Sequence, residues 1–171
     1  NHAPRWEPVR KEFGPLTNEY LMDPAITEGH LEMVAEASRW VRRELGPRGV
    51  TIQPGKAASI SLYHTETGEL RGLMPELERV FAREGWGFRV SMTWLYINCD
   101  LKHVSKGTGI ERWKARTGLK RERLAGIGDT MSDAAIREHV AWFGCPSNAV
   151  DELKARADVV ATRAEAEGVV D

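Results

Sequence analysis

The sequence predicts an α/β fold, and three features carry that prediction. Apolar residues recur at helical spacing through Leu31, Val34, Ala37, Val41 and Leu45. Leu95, Ile97 and Cys99 alternate with Trp94, Tyr96 and Asn98, the period of a half-buried strand. Beyond residue 100, short apolar runs are separated by single helical segments, the rhythm of a parallel sheet with crossover connections. Such sheets collect ligands at the carboxyl ends of their strands.

In chain order, residues 1 to 26 hold Pro4, Pro8, Pro15 and Pro24 and read as an irregular entry segment. A helix follows through Leu31 to Leu45, with Thr27 as N-cap and Gly46-Pro47 as its stop. Ala57 to Tyr63 is β-rich and lies between Pro54-Gly55 and a turn-like Thr65-Glu66-Thr67-Gly68. Leu73, Leu77, Val80 and Phe81 form one helical stripe that Gly85 closes, and Phe88 to Met92 and Leu95 to Cys99 read as two strands. The second rhythm then gives a helix over Ile110 to Thr117, a buried strand over Leu124 to Gly128 and a helix over Asp133 to Val140. A strand over Ala141 to Gly144, a helix over Val150 to Ala155 and a strand over Val159 to Ala161 complete it.

Composition narrows the partners. The 171 residues carry 24 basic and 25 acidic side chains, a net charge of −1, which supplies no global attraction for nucleic acid or an anionic membrane. No stretch approaches the roughly 18 apolar residues of a membrane span, and the N-terminal residues lack signal architecture. Two cysteines, Cys99 and Cys145, suit reduced thiols better than a disulfide scaffold. A cytoplasmic protein acting on a small molecule is the expectation.

Two local patterns carry chemistry. Ile127-Gly128-Asp129-Thr130-Met131-Ser132-Asp133 sets carboxylates and hydroxyls on the loop leaving a strand and entering a helix. Hard oxygens there suit Mg²⁺, which takes one or two carboxylates beside waters and phosphate oxygens; Ser132 or Asp133 serving only as a helix cap is the alternative. Val104-Ser105-Lys106-Gly107-Thr108-Gly109 offers an ammonium beside glycines that leave room for a phosphate, although a solvated turn lysine would look the same. The order in the chain joins the two patterns, because a cation and a carboxylate cluster at adjacent strand ends make a phosphate-plus-metal site. Other patterns fail. Gly55-Lys56 lacks both remaining anchors of a phosphate loop, Gly107-Thr108-Gly109 and Gly126-Ile127-Gly128 lack the third glycine of a dinucleotide fingerprint, and Cys99 with His103 has no second pair of metal ligands. Trp94 beside Tyr96 could stack on a sugar ring if that strand faces a cleft.

Taken together, Ser105-Lys106-Gly107, the Ile127 to Asp133 loop, Pro146-Ser147-Asn148-Ala149, Ala157-Asp158-Val159-Val160 and Glu167-Gly168-Val169 resemble the haloacid dehalogenase-like phosphohydrolase superfamily. The resemblance is to its branch with an inserted α/β cap, which includes sugar-phosphate phosphatases, and it spans roughly residues 27 to 171. It implies a doubly wound parallel core, represented here by its C-terminal half in residues 101–171, preceded by an α/β cap in residues 1–100 with the entry segment. It further implies that Lys106 stabilises the phosphoryl group, that Asp129 binds Mg²⁺ and that Asp133 positions the metal site or the lysine. Asn148 would line the phosphate site. The implied activity is a Mg²⁺-dependent phosphatase acting on a small phosphorylated metabolite, a sugar or polyol phosphate, through an aspartyl-phosphate.

One departure from the superfamily is large. Its members open with an Asp-x-Asp strand that bears the nucleophile, and here Asp23, Asp100, Asp129, Asp133, Asp151, Asp158 and Asp171 include no two separated by a single residue. The expectation is therefore a cap plus half a core, completed by a preceding segment or a partner chain. A non-catalytic binding module that keeps the phosphate and metal site, or a phosphomutase, are the alternatives.

Overall fold

The computed structural model describes residues 22–170; of the entry segment expected at residues 1–26, residues 1–21 lie outside the described part. Helix α1 (Glu28–Glu44) starts where expected, with Thr27 N donating to His30 Nδ1 at 3.0 Å. Glu28 in its first turn and Arg42 and Arg43 in its last oppose the ends of the helix dipole. Val34, Ala37 and Val41 are its buried face.

That face packs on a four-stranded sheet of order β1-β2-β4-β3, antiparallel at every step: β1 (Thr51–Ile52), β2 (Ser59–Tyr63), β3 (Phe88–Met92) and β4 (Tyr96–Leu101). Between β2 and β3 run α2 (Thr67–Gly72) and α3 (Met74–Arg83). The expected turn at Thr65 to Gly68 is thus the entry to a helix, one that buries Leu70. Register sorts the side chains cleanly. Ile60, Leu62, Ile97, Cys99, Leu101 and Phe88 face the helices and are buried, and Phe81 packs its ring 5.0 Å from Phe88. The opposite face is polar: Ser61 pairs with Asn98, which pairs with Ser91, while Ser59 pairs with Asp100, which pairs with Arg89.

β4 leads through a short loop into α4 (Lys106–Thr117), which Gly118 ends in a left-handed conformation at φ 71°. A second sheet of three parallel strands follows in the order β5-β6-β7: β5 (Ala125–Ile127), β6 (Trp142–Cys145) and β7 (Val159–Val160). Helices α5 (Ala134–Arg137) and α6 (Asp151–Lys154) are its crossovers, and α7 (Glu165–Val169) closes the described chain. The helix expected over Asp133 to Val140 is shorter at both ends: Asp133 closes a 3₁₀ turn, Met131–Asp133, and Glu138 and His139 form a turn beyond Arg137. Phe143, Cys145, Ala134, Val140, Ala149 and Leu153 form a second buried cluster that shares no residue with the first. The strand expected to be buried at Leu124 to Gly128 instead exposes Ala125 and Ile127, while Gly126 between them turns to the side of Ile136, Val140 and Phe143. On its other face Ile127, Trp142, Gly144, Val159 and Val169 line an open concavity of about 540 Å³. No described helix is long and apolar enough to cross a membrane.

Candidate active site

Lys106 is the first residue of α4, and its position is set locally. Ser105 caps the helix, its Oγ accepting from Thr108 N at 3.1 Å while Ser105 N donates to Thr108 Oγ1 at 2.9 Å. Gly107 then lets α4 lie directly on α5, since a Cβ there would stand 2.8 Å from His139 Nε2 and 3.2 Å from the Ala135 carbonyl oxygen. His139 Nδ1 also meets Glu111 Oε1 at 2.6 Å, a second tie between the α4 helix and the residues that follow α5.

This docking brings the Lys106 ammonium onto Asp133, 27 residues on, to donate to Oδ1. The other oxygen of Asp133 turns back into its own loop, where Asp129 N, Thr130 N and Thr130 Oγ1 each donate to Oδ2 at 3.1 Å. Gly128 makes room for that arrangement: a Cβ on it would stand 2.2 Å from Asp133 Cβ and 2.7 Å from Cγ. Asp133 is only 3% exposed. Burial works to raise its pKa, but the Lys106 ammonium and the N–H groups of Thr130 and Asp129 outweigh it and hold the carboxyl below the usual carboxylate value. The result is a buried, ionised aspartate that fixes both a lysine and the loop after β5.

Asp129 sits exposed at that loop's start, beyond the carboxyl end of β5. Its main-chain oxygen accepts from Val150 N at 2.9 Å, which joins it to the loop after β6. Lys106, Asp129 and Asp133, the residues expected to act together, are therefore in one place. Asn148 belongs to the adjoining loop, where its Oδ1 accepts from Glu165 N at 2.8 Å, with Glu165 at a positive φ of 50°. Asp158 has a structural job: Oδ1 pairs with Arg137 Nη2 at 3.0 Å and Oδ2 accepts from Phe143 N at 2.8 Å. Trp94 is 81% exposed at the β3–β4 turn.

Among the described residues no three His, Cys, Asp or Glu side chains converge on a metal position. The donor set still fits a hard cation with few protein ligands, because the exposed Asp129 stands in one loop with the ionised Asp133, to which its own N–H donates. The spacing signals at Lys106 and the acidic loop were visible in the sequence. Gly107 and Gly128 as points of close approach were not, since what each would collide with lies on another element or four residues or more along the chain.

A family model described as haloacid dehalogenase-like hydrolase matches residues 51–171. A phosphoglycolate phosphatase of Methanopyrus kandleri is 32% identical over 84% of this chain and 60% of its own length, so the chain spans about three fifths of that relative. A phosphoglycolate phosphatase of Methanothrix thermoacetophila is 36% identical over 42% of this chain and 32% of its own length. Among solved structures, a Thermoplasma acidophilum protein superposes with a TM-score of 0.56 at 17% identity, covering 84% of this chain and 59% of the other. A haloacid dehalogenase-like hydrolase from Bacteroides thetaiotaomicron gives 0.52 at 19% identity, over 62% and 39%. The mixed α/β fold with a parallel sheet is shared with these proteins, and with its family match over most of its length the chain belongs to the haloacid dehalogenase-like hydrolases.

Proposed function

We propose that this chain supplies the phosphate- and metal-binding side of a Mg²⁺-dependent phosphatase acting on a small phosphorylated metabolite. The observation that carries this reading is the buried, ionised Asp133 holding Lys106 at one side and the Asp129 loop at the other, at the carboxyl end of a parallel strand. Lys106, at the first position of a 12-residue helix, adds its charge to N–H groups already oriented for an anion. In that role it would neutralise phosphoryl oxygens as charge builds on them. Asp129 is the residue to hold the cation. Of the two roles expected for Asp133, positioning the lysine has the better support, because both of its oxygens already accept hydrogen bonds. Mg²⁺, when bound, would supply further charge neutralisation at the phosphate. Asn148 would act at the rim of the site, through the loop that ends on Asp129.

We assign residues 1–100 chiefly to a cap and residues 101–171 to half of the core. The nucleophilic aspartate of the aspartyl-phosphate route belongs, on this reading, to the part of the relatives' length that this chain does not span. The matched proteins named phosphoglycolate phosphatase support a small phosphate monoester as substrate. Calorimetric titration of this chain with Mg²⁺ and inorganic phosphate tests the proposal. Asp129→Asn should abolish Mg²⁺ binding and Lys106→Met should weaken phosphate binding at least tenfold; wild-type affinities in both variants would remove the basis for the assignment.

A further inference from the structure

A second concavity, of about 790 Å³, lies on the helices that cover the first sheet. It runs between α1 and α3 with Trp40, Val80 and Trp86 along it, and neither Lys106 nor any residue of the acidic loop lines it. Four arginines and four glutamates complete the lining, so the groove carries no net charge. Balanced walls of this kind attract neither a polyanion nor a polycation; they match a surface with the same balance. Little of the charge is used across the groove. Arg43 bonds Glu44 and Arg83 bonds Glu84, each at 2.7 Å between sequence neighbours, and Arg48 bonds Glu76 at 2.8 Å. Glu36 and Arg39 have no ionic partner among the described residues.

On α1 the groove residues Glu36, Arg39, Trp40 and Arg43 follow i, i+3, i+4, i+7 spacing, one stripe on the side away from the buried Val34, Ala37 and Val41. That stripe is complementary to itself. A two-fold axis crossing between residues 39 and 40 lays two α1 helices antiparallel, with Glu36 opposite the partner's Arg43 and Arg39 opposite the partner's Trp40. Symmetry repeats each contact, giving two ion pairs at the ends and two guanidinium–indole pairs between them. Moving the axis onto Trp40 instead sets Glu36 against the partner's Glu44, so the charges select one register. We propose that α1 is the contact helix of a homodimer, packed antiparallel on the α1 of a second copy across this groove. The assignment is independent of the chemistry at Lys106.

Sedimentation equilibrium and native mass spectrometry of this chain test it. Wild type should be dimeric at about 0.5 mM, where even weak association is visible, and should associate more weakly as added salt screens the end pairs. Arg43→Glu and Glu36→Arg each set like charges at both ends and should weaken association roughly thirtyfold. Both positions are exposed, so the far-ultraviolet circular dichroism should not change. Mixed in equal amounts, these two variants should dimerise with each other at about wild-type affinity, because every end pair is again opposite in sign. Arg39→Ala, which adds no charge, should weaken association roughly tenfold. A wild type that is monomeric at that concentration overturns the proposal. So does a dimer that R43E and R39A leave intact, as one built on the open face of the second sheet would be, or an E36R and R43E mixture that stays monomeric.

Discussion

Replacing Gly128 by alanine tests whether Asp133 is held as tightly as its contacts imply. The new Cβ would sit 2.2 Å from Asp133 Cβ and 2.7 Å from Cγ, so one of the two must retreat by about 1.5 Å to regain ordinary contact distance. Asp133 has nowhere to retreat without losing bonds, since its Oδ2 takes three donors from residues 129 and 130 and its Oδ1 takes Lys106. Loss of two of these bonds to a buried carboxylate costs about 3 kcal/mol at ~1.5 kcal/mol each. For a chain of this size that lowers Tm by roughly 6–12 °C. Urea denaturation gives the first number and a calorimetric scan the second, and the ¹³C shift of the Asp133 carboxyl followed against pH reports the local cause. The variant's Asp133 should titrate higher than wild type's. A G128A protein within 0.5 kcal/mol of wild type, with Asp133 titrating unchanged, would refute the reasoning.

Lys106→Met should raise the Asp133 pKa and destabilise by about 1 kcal/mol, a modest figure because the lysine side chain is 55% exposed. The folded-state pKa of Asp133 is depressed, so its contribution to stability is complete above the ordinary carboxyl value near ~3.9 and is lost as pH falls through the lower folded value. Stability curves of wild type and K106M should therefore converge in acid and separate toward neutrality; parallel curves would rule out the pair as the source. Burial pushes the Cys99 thiol up to about 12, and Cys145 is also buried and raised. Both should resist iodoacetamide at pH 8 and react once denaturant is added, as intact mass would record; rapid labelling of Cys99 in the folded protein would contradict its place in the first sheet.

What the sequence made legible follows the range of the signals. The stripe of α1 and the alternation of β4 are written in neighbouring residues and are kept because packing on one face is what produced them, although β4 runs Tyr96–Leu101 rather than from Leu95, which is exposed, so that Leu101 joins Ile97 and Cys99 on the buried face. β1 is only Thr51–Ile52, too short for any period to show. The exposure of Ala125 and Ile127 was hidden for another reason: an apolar run looks the same whether one face of the strand is covered or both. The site divides in the same way. Asp129 and Asp133 lie in one loop and Lys106 has its own glycine-flanked turn, so residue types and order located them. Away from the site, Lys56 Nζ donates to Ser61 Oγ and Ser61 Oγ to Asn98 Oδ1, each at 2.6 Å, a meeting that the β2–β4 register makes by setting residue 61 opposite residue 98 and that Gly55-Lys56 read alone does not show.

The two buried clusters are unequal, with sixteen apolar residues in the first and six in the second among the described residues. Partial unfolding selects the cheaper opening, and here that is the three short parallel strands. Asp133 and its loop belong to those strands, while Lys106 reaches them from the helix leaving the larger sheet. Backbone amides of residues 126–133 should thus exchange with deuterated solvent through a transition that leaves Ile97 and Cys99 protected. An anion bridging Lys106 and that loop would slow the exchange of the smaller half alone, so protection there measures occupancy of the site without any reaction being followed.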